Sequence, residues 1–169
     1  MRRVAFLRGV NVGGKAKVPM ADLKKVFEAA GATKVKTYIQ SGNVVFDGPA
    51  SLNAKRIETA IEKHFHIKVS VAVRTRAQLK AIAAANPYDE VDLVHVAFLI
   101  GRPKLGHIET TDAMTGEAFT HIGNELYFYL PNGMGTSKLP AYVSRRVGKD
   151  MTARNWRTVM KLCEMLDSK

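Results

Sequence analysis

The chain has 169 residues, enough to bury a real core as one domain or as two small lobes. Its composition, 46% hydrophobic and 24% charged with one cysteine, excludes a disulfide framework, a multi-cysteine metal site and a membrane span, and points to a globular cytoplasmic protein. The net charge of +11 attracts polyanions and is concentrated in residues 1–46, with nine Lys or Arg against two acids, and in 137–161, with seven against one.

Arg3 to Arg8 predicts a central strand through Val4-Ala5-Phe6-Leu7. A glycine-rich basic loop follows. From about Pro19 to Ala30 the spacing of Met20, Leu23, Phe27 and Ala30 predicts an amphipathic helix, with Gly31 as its terminating glycine. Val35 to Ile39 alternates as a strand, Gly42 breaks it, and Asn43 to Phe46 returns as the second arm of a hairpin. A second helix spans about 52–65, capped by Ser51 or Asn53. Ile67 to Val73 alternates as a further strand, and Thr75 with Gln78 forms a capping box for a short helix.

The order β-α-β-β-α-β is that of a split-βαβ, ferredoxin-like lobe. Phe6, Leu23, Phe27, Ile57, Ile61 and Val71 are expected to meet in its core. The second half begins with a strand from Leu93 to Ile100. A helix from about 108 is weakly patterned. Strands 117–122 and 125–130 flank the Gly123-Asn124 turn. A helix through 138–147 follows, with Pro140 in its first turn. A last helix is capped by Thr152 and packs through Trp156, Val159, Met160, Cys163 and Leu166. The expected fold is therefore α+β: two small lobes in tandem, 1–86 and 93–169, joined by a linker at 87–92. Each has a mostly antiparallel sheet with helices on one face. No internal sequence repeat proves a duplication.

Gly9 to Lys15 fits the Gly-x-x-x-x-Gly-Lys part of a phosphate loop, but Ala16 stands where the magnesium-binding hydroxyl belongs, and the helix starts too late. A looser role remains: successive glycine N–H groups can cradle an anion, with Arg8, Lys15 and Lys17 adding charge. The alternative is a tight turn with solvated lysines. Gln40, Ser41 and Asn43 supply polar groups on the hairpin turn and serve a turn equally well. Ser41 has no evident general base, so no catalytic residue is assigned. The five histidines lack metal-ligand spacing, so no metal or cofactor is expected. Cys163 reads as a small buried hydrophobe. Tyr127 and Tyr129 share one strand face and would form a stacking platform if exposed.

The blocks Phe6-Leu7-Arg8-Gly9-Val10-Asn11-Val12-Gly13-Gly14, Thr37-Tyr38-Ile39-Gln40-Ser41-Gly42-Asn43 and Thr152-Ala153-Arg154-Asn155-Trp156-Arg157 carry a resemblance that extends over nearly the whole chain. The chain resembles the DUF1697 family, bacterial proteins of unknown function. The resemblance implies a tandem of ferredoxin-like lobes and carries over no activity, cofactor or catalytic residue. The leading functional expectation is a cytoplasmic protein that binds a polyanion, foremost nucleic acid, through Arg8, Asn11, Gly13, Gly14, Lys15, Lys17, Gln40, Ser41 and Asn43. Lys138, Arg154 and Asn155 are candidate contributors from the second lobe. The alternative is an enzyme acting on a phosphorylated or carboxylated small molecule.

Overall fold

The structure, a computed structural model, describes residues 1–101, 116–147 and 150–168. The helix expected from about 108 lies outside those residues. The chain divides into two units, Met1–Lys80 with Lys161–Lys169, and Ala81–Met160. Each contains a four-stranded antiparallel sheet.

In the first unit the elements run β1 (Arg2–Leu7), α1 (Met20–Ala29), β2 (Thr33–Tyr38), β3 (Asn43–Asp47), α2 (Ala54–Phe65), β4 (Val71–Thr75), and then α3 (Arg76–Ala84), which continues into the second unit. The expected strands share one sheet, in the order β2-β3-β1-β4. The period-two geometry of β1 sends Ala5 and Leu7 to one face and Val4 and Phe6 to the other. Ala5 and Leu7 join Val44, Phe46 and Val71 beneath Leu23 and Phe27 of α1 and Ile57 and Ile61 of α2. Phe6 is absent from that cluster. It is fully buried on the opposite face with Val4 and Val45, a correction to its expected place. Burial on both faces explains why the strand is apolar throughout rather than alternating.

Local signals set the element ends. Gly31 (φ 99°) closes α1 in a Schellman arrangement, with Gly31 N–H donating to Glu28 O and Ala32 N–H to Phe27 O. Asn53, rather than Ser51, caps α2 by accepting from Arg56 N–H. Thr75 and Gln78 form the reciprocal capping box. Strand β4 starts at Val71, four residues later than expected. Its partner β1 ends at Leu7, which pairs with Val71, and the chain turns away at Gly9 (φ 67°). The edge strand β2 carries exposed Lys34 and Lys36 and a register shift, features that discourage edge-to-edge pairing. Buried Arg3 hydrogen-bonds Leu52 O and Pro49 O and lies over the Phe46 ring, fixing the loop between β3 and α2. Desolvation holds its pKa below the ordinary arginine value.

In the second unit β5 (Val94–Leu99), β6 (Ala118–Ile122), β7 (Glu125–Tyr129) and β8 (Met151–Asn155) form a sheet in the order β6-β7-β5-β8. Helix α4 (Leu139–Val147) lays Leu139, Val143 and Val147 on Ala97, Leu99, Leu126 and Phe128. Pro140 falls in its first turn, where its missing N–H costs nothing. Helix α5 (Trp156–Asp167) is divided between the units. Its end is held in the first unit by Arg2, which donates to Met165 O, and by Arg76 and Lys80, which meet Asp167 at 2.6 and 2.9 Å. Strand β8 corrects the expectation that Thr152 caps the last helix. Thr152 is a strand residue opposite Phe98, and Asn155 caps instead, accepting from Thr158 N–H. Met160 is exposed rather than packed.

The two sheets repeat one register. Val4-Ala5-Phe6-Leu7 and Val96-Ala97-Phe98-Leu99 occupy the same place in their strands. Arg74 stands opposite Val4, and Arg154 opposite Val96. Leu7 N–H donates to Gly42 O as Leu99 N–H donates to Asn124 O. Among the described residues, no helix is long and apolar enough to cross a membrane.

Candidate functional site

Strand β1 ends at a loop whose backbone is unusual. Gly9, Asn11, Gly13, Gly14 and Ala16 all have positive φ, between 48° and 72°. The loop folds on itself as a miniature hairpin. Asn11 N–H donates to Ala16 O and Lys15 N–H to Val12 O, both at 3.1 Å. Gly13 and Gly14 are the two central residues of its turn, where φ is positive at both positions, so glycine is required there. Among the described residues, no protein acceptor takes the Gly13 or Gly14 N–H. Helix α1 begins only at Met20, so no helix N-terminus fronts the loop as in a phosphate-binding P-loop.

Asn11 is the organiser. Its amide oxygen accepts from Val18 N–H at 2.8 Å. Its amide nitrogen donates to Val18 O at 2.9 Å and to Gln40 O at 2.8 Å. One side chain thus closes the glycine loop and ties it to the turn between β2 and β3. That turn is held from below as well. Leu7 N–H donates to Gly42 O, and Gly42 packs so closely that a Cβ there would lie 2.7 Å from Val10 Cγ2. Asn43 is fully buried. Its amide donates to Tyr38 O and to Ser41 Oγ, both at 3.0 Å.

The nine candidate residues of the first unit therefore fall into two groups. Asn11 and Asn43 build the scaffold. Arg8, Gly13, Gly14, Lys15, Lys17 and Gln40 are exposed, and Ser41 is half-buried. Sequence reasoning missed two residues. Val12 is 65% exposed and Ile39 is 48% exposed. Ile39 also has φ 49°, a conformation that costs a β-branched residue more than most. Its alternation with Val35 and Thr37 suggested an ordinary strand position; the only sequence signal against this was its place directly before Gln40-Ser41-Gly42.

The candidates of the second unit sit differently. Lys138 is exposed just ahead of α4. Arg154 is only 7% exposed and donates to Thr152 Oγ1 and Ala153 O; desolvation lowers its pKa to about 10. Asn155 commits its side-chain oxygen to the α5 cap. The tyrosine platform divides. Tyr127 is buried and donates to Ile82 O, with burial pushing its hydroxyl up to about 12. Half-buried Tyr129 donates to Glu90 and lies 5.6 Å from the Tyr88 ring. Burial holds the His95 imidazole below its ordinary value. Among the described residues, no group of three His, Cys, Asp or Glu is placed to hold a metal.

An α+β protein of two antiparallel lobes, with a tied glycine loop and hairpin on the first, is the class these features define. The chain belongs to the DUF1697 family, described as proteins of unknown function, whose sequence profile matches residues 1–127. Its structure is similar to that of the conserved bacterial protein SP0830 from Streptococcus pneumoniae, with a TM-score of 0.73 and 23% identity over 98% of both chains. That likeness concerns the fold. No curated protein matches the chain significantly.

Proposed function

We propose that the glycine hairpin and the adjoining 39–43 turn form an anion-accepting surface through which the protein binds a polyanion, nucleic acid foremost. The observation that carries this reading is a cationic, preorganised glycine loop. Lys15 and Lys17 are exposed, and among the described residues neither has an ion-pair partner. Among the described residues Lys24, Lys25, Lys68, Lys80 and Lys161 each face a carboxylate, while Lys34, Lys36, Lys55, Lys63 and Lys138 stand unpaired as Lys15 and Lys17 do; Lys15 and Lys17 are set apart by their place on the glycine loop. Two glycine N–H groups stand beside these lysines, and Gln40 adds an amide within the same tied pair of loops. Surface ion pairs add little to stability, so the missing partner is not itself the signal; the reading rests on two exposed cations carried by one preorganised loop beside glycine N–H groups that can cradle an anion.

The fold reading that accompanies it is a tandem of ferredoxin-like lobes. The order β2-β3-β1-β4, with two helices on one face, supports this for the first lobe, and the repeated register supports it for the second. A cytoplasmic setting belongs to the same proposal and accords with the lone, buried Cys163.

The test is Lys15→Ala/Lys17→Ala, assayed by anisotropy with a mixed-sequence oligonucleotide over a salt series. The double variant should keep its fold and bind more weakly. The slope of log affinity against log salt should flatten by about 0.7 for each single-strand phosphate that the variant no longer neutralises. Unchanged affinity and slope in a folded variant would show the lysines to be merely solvated.

A further inference from the structure

We infer that the polyanion is single-stranded nucleic acid, and that Val12 and Ile39 are its base contacts; this rests on the anion-accepting reading above. Val12 and Ile39 are two of the most exposed large hydrophobic residues among those described, and they flank the link between the two loops. Each is one residue from a partner in the same hydrogen bond, because the side chain of Asn11 donates to Gln40 O at 2.8 Å. Lys15 is the cross-strand partner of Val12 in the miniature hairpin, so an apolar tip and a cation share one rung.

The backbone adds a second, independent observation. Ile39 holds φ 49°, where asparagine or glycine would sit with less strain, yet the residue is exposed to water. The chain reversal between β2 and β3 uses this conformation but does not call for an aliphatic side chain exposed to solvent there, and strain of this kind collects at ligand contacts. Asn11 also has positive φ, 56°, and there its side chain offsets the strain with three hydrogen bonds. Ile39 has no polar side chain with which to do the same.

The surface therefore asks for a ligand that alternates apolar faces with negative charge at short spacing. Single-stranded nucleic acid does this, because each nucleotide carries an apolar base face beside its phosphate. A duplex stacks those faces away and offers phosphate alone. The side chains here are aliphatic, so they would pack on bases without reading them, and the preference among sequences should be slight.

The experiment uses the full chain and three probes: a mixed-sequence single strand of about twenty nucleotides, long enough to cover one site; inorganic polyphosphate; and vesicles of anionic phospholipid. The variants are Val12→Ser/Ile39→Asn and Lys15→Ala/Lys17→Ala. Asparagine is chosen at position 39 because it tolerates positive φ, so the variant should melt no lower than the parent. The expected result is that Val12→Ser/Ile39→Asn weakens the oligonucleotide about five- to tenfold and leaves polyphosphate unchanged, while the lysine variant weakens both. If oligonucleotide and polyphosphate both bind through the lysines and Val12→Ser/Ile39→Asn alters neither, the base-contact assignment is overturned and the anion-accepting reading stands. If neither probe binds at low salt, both are overturned. Vesicle binding that depends on Val12 and Ile39, without oligonucleotide binding, would assign the apolar tips to a lipid surface and overturn the inference.

Discussion

Gly42→Ala isolates the packing that sets the hairpin turn against β1. Two costs apply. The φ of 83° is one that an L-residue adopts only with strain, which costs about 1–2 kcal/mol. The added methyl would lie 2.7 Å from Val10 Cγ2 and 2.9 Å from Leu7 Cβ. Neither neighbour yields easily. Leu7 Cβ is fixed to a central strand whose N–H is bonded to Gly42 O, and Val10 is buried. Overpacking of this kind costs about 1–3 kcal/mol. The total is therefore about 2–5 kcal/mol, and at about 2–4 °C per kcal/mol for a chain of this size the thermal midpoint should fall by roughly 4–20 °C. Gly13→Ala is the control, because it has positive φ (60°) with nothing within 4 Å of its Cβ position. It should show the dihedral cost alone. Both variants are to be melted by circular dichroism at one scan rate. A Gly42→Ala midpoint no lower than that of Gly13→Ala would refute the close approach of the turn to β1, and with it the geometry that holds the site.

Phe27→Ala should destabilise the first unit by about 3–5 kcal/mol in urea titration, because its ring is buried and meets Phe46 edge-on at 5.2 Å. A loss below about 1 kcal/mol, on the order of a surface change, would contradict that core. The hydrogen bond from Lys80, then that from Arg76, holds the Asp167 carboxyl below its ordinary value of 3.8. A depressed carboxylate adds stability above its unfolded pKa and loses it as pH falls through the folded value. Asp167→Asn should therefore melt below the parent at neutral pH and match it in strong acid; a gap that persists in acid would mean the ion pairs are not its source. Burial pushes the Cys163 thiol up, so iodoacetamide should label the native protein slowly at neutral pH and the urea-unfolded chain quickly. Rapid native labelling would place Cys163 outside the core.

Much of the first unit was legible because its local signals agree with its packing. The stripe of Leu23, Val26 and Phe27, the terminating Gly31 and the Thr75-Gln78 box each point to one structure, and each occurs. The second unit was harder to read at β8. Met151-Thr152-Ala153-Arg154-Asn155 is five residues long and includes an arginine that is buried in the fold, so its pattern resembled a helix start. The repeat was hidden for a different reason. Val-Ala-Phe-Leu recurs, but only the strand register shows that Arg74 and Arg154 answer each other across it.

At the candidate site, the nearness of the glycine loop and the hairpin turn followed from strand pairing. The role of Asn11 did not, because its partners are backbone groups whose positions only the folded chain defines. Arg154 illustrates the opposite failure: a charge count treats every arginine as surface, while here hydrogen bonds to Thr152 Oγ1 and Ala153 O hold its guanidinium inside against the desolvation cost that lowers its pKa, and Arg3 and Arg74 are buried too. Ile39 shows where a period-two pattern ends, since the alternation continues one residue past Tyr38, the last residue of β2, to the position at which the backbone turns to positive φ.

Mapping ligand contacts on the backbone tests the proposed surface most directly. A uniformly nitrogen-15-labelled chain is titrated at low salt with a mixed-sequence single-stranded oligonucleotide, and the amide shifts are followed residue by residue. The largest changes are expected at Gly13, Gly14 and Lys15, with Gln40 and Ser41 moving in the same saturating curve because Asn11 couples the two loops. Shifts that gather instead around Arg145 and Arg146, or a spectrum that does not change at saturating oligonucleotide, would contradict the proposal.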